Sequence, residues 1–248
     1  MLLEQCAYAN RWRTASPAAK AFAALGGLIA AFVAGTPLGA LVVTALIIVA
    51  LVAGAGISLG RFVRIALPPL GFLALGCLSL AYSLDTGDGA TGLTLRWLPL
   101  GWAPVLQLAA RSGCALSALL FLAMTTPMTD LIALLRRLKV PETLIEIMVL
   151  CYRMLFVFSD ALHSTRTAQA ARLGYATPRL ALRSLGSLTA GLTLQIWQRA
   201  HDLHIAAQSR NNDGALRFLE PAYPHAQRDM SVAVLAACAL ILIAAVIR

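Results

Sequence analysis

Apolar segments of membrane-spanning length recur along this chain. A helix needs roughly 20 mainly apolar residues to cross a bilayer. Five segments come close to that length: residues 17–35, 38–57, 62–84, 103–126 and 231–247. One helix through the first two would run for about 40 residues, overshoot the bilayer and contain Pro37 in its interior. The pattern therefore predicts an all-α polytopic membrane protein with about five transmembrane helices, of which the first two form a hairpin around Gly35-Thr36-Pro37.

The composition supports a membrane protein. Hydrophobic residues make up 59% of the chain and charged residues 12%, whereas about 25% of the residues in soluble domains are charged. The mean hydropathy is +0.77. These values exclude an ordinary soluble domain.

The basic residues predict the orientation of the chain. With the N-terminus in the cytoplasm, Arg11, Arg13, Arg61 and Arg64 all lie on the cytoplasmic side, as the positive-inside rule requires. A basic face of this kind, in a chain of net charge +9, can also attract anionic membrane lipid or bind an acidic partner. No nucleic acid is expected as a partner, because the sequence contains no recognised nucleic-acid-binding motif.

Residues 129–228 break the membrane pattern. This block is too rich in arginine to cross a bilayer and too apolar to be a disordered loop. We therefore divide the chain into N-terminal transmembrane helices (1–127), a cytoplasmic or interfacial region of long coupling helices (128–229) and a C-terminal transmembrane helix (230–248).

Helix signals divide the central block into three helices. Met128-Thr129-Asp130 offers N-cap chemistry for a short helix over 131–139, and Pro141 begins a second helix of about 32 residues that we expect to end at Gly174, a C′ glycine. Thr177-Pro178 restarts a third helix, which continues to about Arg210. A single span through 144–158 is an alternative for the second helix. The run is short and contains two ionisable groups. This favours a helix that places its apolar residues in the helix bundle and projects its end into the cytoplasm.

Catalytic and metal-binding patterns are missing from the sequence. It has no G-x-x-x-x-G-K-[ST] loop for ATP, so the chain is not expected to be an enzyme or to hold a cofactor. His201 and His204 lie one helical turn apart, but no suitable third ligand lies nearby in the sequence. The five cysteines form no C-x-x-C pair. No metal site is expected.

Three segments of the central block form a recognisable set of motifs. They are Leu135-Arg136-Arg137-Leu138-Lys139-Val140-Pro141, Tyr152-Arg153-Met154-Leu155-Phe156 and Ala168-Gln169-Ala170-Ala171-Arg172. Together they resemble the cobalt-transport family CbiQ. The family has two Ala-Arg-Gly-like triplets at the ends of long cytoplasmic helices. Ala171-Arg172-Leu173 corresponds to the first triplet and Ser209-Arg210-Asn211 to the second. Both arginines match, whereas Leu173 and Asn211 stand where the family typically has Gly or Ser.

The resemblance implies a multi-pass subunit of the cell inner (plasma) membrane, the transmembrane (T) component of an energy-coupling-factor (ECF) importer. That component joins ATP-binding cassette ATPase subunits to a small membrane protein that binds the substrate, here implied to be Co²⁺. Nickel, a vitamin, and a stand-alone channel or secondary carrier are the alternatives. The implied ATPase-coupling interface comprises Ala171, Arg172, Leu173, Gly174, Ser209, Arg210 and Asn211.

Overall fold

The computed structural model describes residues 2–85, 94–97, 102–211, 223 and 225–247. Within those residues the helices are α1 (Leu2–Ala9), α2 (Pro17–Val33), α3 (Pro37–Val49), α4 (Leu59–Ala81), α5 (Trp102–Thr125), α6 (Met128–Arg137), α7 (Glu142–Ala171), α8 (Pro178–Ser209) and α9 (Ala226–Val246). A 3₁₀ turn covers Arg11–Thr14 and a π turn covers Ala50–Gly54. Two four-residue strands, β1 (Tyr82–Asp85) and β2 (Thr94–Trp97), pair antiparallel. The predicted all-α class is confirmed.

The chain divides into two compact units. The first comprises Met1–Leu134 and Pro221–Arg248, and the second comprises Leu135–Glu220. The assignment of residues 1–127 and 230–248 to the membrane, and of 128–229 to the cytoplasm, stays a prediction.

Four described helical segments have the length and apolarity of a membrane span. They are Pro37–Gly54, Leu59–Leu80, Ala103–Thr125 and Ala226–Val246, with mean hydropathies between 1.6 and 2.5. The fifth predicted span, α2, has 17 residues, or about 26 Å at the α-helical rise. It is shorter than predicted because the backbone turns extended at Ala34 (φ −58°, ψ 109°). The protein is thus a multi-pass membrane protein, but only four of the five predicted spans reach full length.

The predicted break between α2 and α3 is confirmed. The Thr36 hydroxyl accepts a hydrogen bond from the Gly39 backbone N–H (3.3 Å), and Pro37 occupies the first turn of α3. This is the N-cap arrangement that begins a new helix. One continuous helix through both segments is therefore wrong.

Two polar side chains of α5 satisfy the carbonyls at the end of α2. Arg111 donates to the Ala34 carbonyl (3.1 Å), and Gln107 donates to the Gly35 carbonyl (2.8 Å). The last carbonyls of a helix have no partner within the helix. Arg111 lies in the interior of the fourth predicted span. It thus has a structural role at the end of α2.

Small residues let the membrane helices approach closely. A β-carbon at Gly26 would collide with Ala237 of α9, as expected for packing through small residues. A β-carbon at Gly54 would collide with the indole ring of Trp12. By contrast, a β-carbon at Gly60 of α4 would meet nothing within 4 Å, so Gly60 makes no such contact among the described residues.

A buried polar cluster ties α1 and α2 to α5. The Asn10 amide donates to the carbonyls of Ala7 (2.7 Å) and Thr125 (3.0 Å). The Lys20 ammonium, in a side chain only 4% exposed, also donates to the Thr125 carbonyl (3.1 Å). Buried polar groups need such partners, because an unpaired one loses its hydration without compensation.

Candidate coupling interface

The predicted long helices form. The short helix before them is revised at both ends, and its last residue is Arg137 instead of Lys139. Helix α7 has 30 residues and α8 has 32, about 45 and 48 Å at 1.5 Å per residue. Neither is among the described helices with the composition of a membrane span. Helix α6 begins at Met128 rather than Leu131, because the Pro127 carbonyl already accepts from the N–H groups of Asp130 and Leu131.

Arg172 and Arg210 occupy equivalent positions at the ends of these two helices. Arg172 is the C-cap of α7 (φ −92°, ψ 17°), and Arg210 is the C-cap of α8 (φ −98°, ψ 11°). The next residues, Leu173 (φ 57°) and Asn211 (φ 50°), are both left-handed. The two triplets therefore adopt one backbone conformation, although their sequences differ at two of three positions.

The hydrogen bonds explain this shared conformation. The Leu173 N–H donates to the Ala170 carbonyl (3.0 Å), and the Gly174 N–H donates to the Gln169 carbonyl (2.9 Å). Together these two bonds make a Schellman C-cap. The Asn211 N–H donates in the same way to the Gln208 carbonyl (3.0 Å), and the residue after Asn211 lies outside the described residues.

Gly174 has a different role from the one predicted. It was expected to be the left-handed C′ glycine, but its φ is not positive and Leu173 takes that conformation instead. A β-carbon on Gly174 would lie 2.7 Å from the Ser184 hydroxyl oxygen and 2.9 Å from the Gln169 carbonyl oxygen. Glycine is therefore needed here for close packing and not for backbone freedom.

A network of polar side chains fixes the turn between α7 and α8. The Gln169 amide donates to the Ser184 carbonyl (3.1 Å), and the Tyr175 hydroxyl donates to the Gln169 side-chain oxygen (2.7 Å). The Ser184 hydroxyl donates to the Gly174 carbonyl (2.9 Å). Thr177 then caps α8 by accepting from the Leu180 N–H (3.3 Å). Sequence reasoning found Thr177 but missed the network, since no local pattern pairs Gln169 with Ser184.

The predicted interface residues are open to a partner. Ala171, Arg172, Ser209, Arg210 and Asn211 are exposed, Leu173 is 72% exposed and Gly174 is half-buried. Within the described part of the chain, neither Arg172 nor Arg210 has a side-chain hydrogen bond or ion pair. Helix α8, about 48 Å long, begins six residues after Arg172 and ends next to Arg210. Their contact with ATPase subunits stays a prediction.

A third helix end of the same type was not anticipated. Helix α6 closes with left-handed Lys139 (φ 58°), whose N–H donates to the Arg136 carbonyl (3.0 Å), while the Val140 N–H donates to the Leu135 carbonyl (3.3 Å). This is again a Schellman cap. Pro141 is the sequence signal that could have revealed it, because proline is common just after such caps.

No metal-binding cluster stands out in the described residues. No group of three or more His, Cys, Asp or Glu side chains there is placed to hold a metal ion. His201 and His204 are exposed on α8. The five cysteines are free thiols.

Known proteins are similar to this chain in sequence. The family model of the cobalt transport protein CbiQ matches residues 9–218, which include both triplets. The cobalt transport protein CbiQ of Rhodobacter capsulatus is 36% identical over 217 residues, covering 88% of this chain and 86% of the relative. CbiQ of Salmonella typhimurium is 31% identical over 207 residues, covering 79% and 90%. A putative fused cobalt transport protein CbiMQ of Methanocorpusculum labreanum is 32% identical over 119 residues, covering 46% of this chain and 20% of the relative. By both the family model and these relatives, the chain belongs to the CbiQ family of cobalt transport proteins.

Proposed function

We propose that this membrane protein is the coupling subunit of an ECF-type importer, joining ATPase subunits to a membrane component that binds the substrate. The observation that carries the proposal is the pair of exposed arginines, Arg172 and Arg210, in one backbone conformation at the two ends of α8. Two like sites, one before the start and one at the end of a helix about 48 Å long, suit two like partners. Each ATPase subunit thus binds one helix end.

Arginine at these positions suits recognition of a carboxylate. The guanidinium can form a bidentate pair with a carboxylate in a partner groove, and the negative end of the helix dipole stabilises the cation before the partner binds. The Schellman cap and the network around Gln169 hold the first arginine on a rigid helix end. Because this helix end is already ordered, little conformational entropy is lost when a partner binds.

The substrate-binding partner is a separate membrane protein in this proposal. The relative named as a fused CbiMQ protein contains a segment similar to this chain within a much longer polypeptide, which supports a close association of the two parts. Helix α8 offers an apolar surface for such a partner, with Leu182, Leu194 and Trp197 between 59% and 77% exposed. The family description points to cobalt ion as the substrate.

A stand-alone channel or carrier is disfavoured by the position of Arg111. Ionisable groups in membrane spans commonly mark a transport pathway. Arg111 instead donates to the backbone at the end of α2, so it gives no support for a pathway through this chain alone.

The double variant Arg172→Ala with Arg210→Ala tests the proposal. Truncating a buried, charge-paired arginine at an interface costs roughly 2–5 kcal/mol, so two losses should abolish co-purification of the ATPase subunits with the tagged protein. Arg→Lys at both positions should restore binding only in part, because an ammonium makes no bidentate pair. Arg183→Ala, which removes an exposed arginine of α8 outside the triplets, is the matched control. ATPase capture by the double variant at the wild-type level would refute the proposal.

A further inference from the structure

A groove lined almost wholly by apolar side chains lies among α2, α3, α5 and α9. Its volume is about 550 Å³, within the ~300–1,000 Å³ range of small-molecule sites. The groove exists because small alanine side chains line much of it. Ala19 and Ala23 come from α2, and Ala236 and Ala239 come from α9. The proposed contact with ATPase subunits does not involve these residues.

The groove opens sideways toward the surroundings of the helix bundle. Ala236 and Ala239 line it and are also exposed, and α9 has the length and apolarity of a membrane span. The lining on α9 runs from Arg228 to Ile243, about 22 Å along the helix axis. One leaflet of the hydrocarbon core is about 15 Å thick. A lipid acyl chain can therefore enter from the bilayer and lie along the groove.

One end of the groove is polar, where Lys20, Arg228 and Asp229 line it. Lys20 donates to a backbone carbonyl, and the Asp229 carboxylate accepts the Ser16 N–H (3.0 Å). Arg228 is exposed, and its guanidinium has no hydrogen bond or ion pair to the rest of the described chain. The carboxylates of Asp130 and Asp229 both lie near the Lys20 ammonium. Arg228, at the mouth of the groove, is therefore the cation that the described residues leave without a partner.

Trp12 lies at the same end of the groove and indicates that this end is at the level of the lipid headgroups. Its ring lines the groove and packs edge-on against Phe121, with centroids 5.9 Å apart. Tryptophan is enriched where membrane meets water. A lipid chain seated in the groove would place its phosphate beside Arg228.

We propose that the groove among α2, α3, α5 and α9 binds one anionic phospholipid, with an acyl chain lying along the groove and the phosphate paired with Arg228. The apolar walls select a hydrocarbon chain, and the exposed Arg228 guanidinium selects a negative headgroup. The bound lipid fills space that alanine side chains leave open and becomes part of the packed helix bundle.

Native mass spectrometry of the full-length chain, released from nanodiscs of phosphatidylglycerol and phosphatidylcholine, tests this inference. We expect one retained phosphatidylglycerol per chain. Arg228→Gln should reduce the preference for phosphatidylglycerol about fivefold, which corresponds to the roughly 1 kcal/mol that one basic residue contributes near an anionic surface. Ala236→Phe should reduce retention of both lipids by about tenfold or more, because the ring displaces at least two buried methylene groups.

Matched variants separate the site from general effects. Arg64→Gln removes an equal charge from an exposed residue outside the groove, and Ala245→Phe adds an equal ring to an exposed position of α9 outside it. Both should retain lipid as the wild type does. Equal retention of the two lipids by the wild type, or unchanged retention in Arg228→Gln and Ala236→Phe, would overturn the inference. Displacement of the lipid by a partner subunit in the assembled complex would also overturn it, because the groove would then be a protein interface.

Discussion

Gly174 and Ser184 are in close contact in the turn between α7 and α8. The Ser184 hydroxyl donates to the Gly174 carbonyl (2.9 Å), and any β-carbon on Gly174 would lie 2.7 Å from that same hydroxyl oxygen. The absence of a side chain at position 174 is thus what allows the start of α8 to pack beside the end that carries Arg172.

Gly174→Ala should therefore destabilise the turn. The added methyl group also meets the Gln169 carbonyl oxygen at 2.9 Å, and overpacking of this kind costs typically 1–3 kcal/mol. Thermal unfolding of the purified protein should show a lower midpoint. Adding Ser184→Ala should recover part of the loss, since one of the two close contacts then disappears.

Two glycines within α8 provide the control for the Gly174→Ala experiment. A β-carbon on Gly186 or Gly191 would meet nothing within 4 Å, so alanine there should raise stability by about 0.5–1 kcal/mol through the gain in helix propensity. If Gly174→Ala stabilised the protein as these variants do, the described packing of the turn would be wrong.

Leu173→Gly should stabilise the end of α7. A side chain in the left-handed region costs roughly 1–2 kcal/mol relative to the right-handed one, and Leu173 is 72% exposed, so glycine loses little packing. Asn211→Gly should have a smaller effect, because asparagine tolerates this conformation well. Chemical denaturation of both variants checks the order. A destabilised Leu173→Gly variant would show that position 173 does not adopt φ 57°.

Much of this site could be predicted from the sequence, because helix ends depend on local signals. Thr177-Pro178 indicated the start of α8, and Gly174 indicated the approximate end of α7. The identity of the left-handed residue was missed, since the presence of Gly174 favoured glycine at C′. The reason lies in Ser184, ten residues away, whose hydroxyl occupies the space that a side chain at 174 would need.

In the membrane helices too, features set by neighbouring residues were predicted, and features set by residues distant in sequence were not. Pro37 and Thr36 located the start of α3 correctly, since an N-cap is a local arrangement. The early end of α2 was missed, because the partners of its last carbonyls come from Gln107 and Arg111, more than seventy residues later. The π turn at Ala50–Gly54 gave no sequence signal either. Its Gly54 accommodates the Trp12 ring, which is distant in sequence.

Arg111→Leu should lower stability without changing which substrate the importer takes up. The variant leaves the Ala34 carbonyl without its donor, and an unsatisfied polar group costs about 1–3 kcal/mol. Thermal unfolding should show the loss, and Arg64→Leu, at an exposed arginine of α4, should not. An Arg111→Leu variant with wild-type stability and altered ion selectivity would instead place Arg111 in a transport pathway.

Photo-crosslinking from the two helix ends tests the coupling role most directly. A photoreactive amino acid replaces Ala171 or Ser209, each exposed and adjacent to one of the arginines, in the complex assembled with its ATPase subunits. A third variant carries the same group at Trp197, which is 77% exposed in the middle of α8. We predict ATPase crosslinks from positions 171 and 209 and none from 197. Absence of ATPase crosslinks from both helix ends in an assembled, transport-active complex would contradict the account.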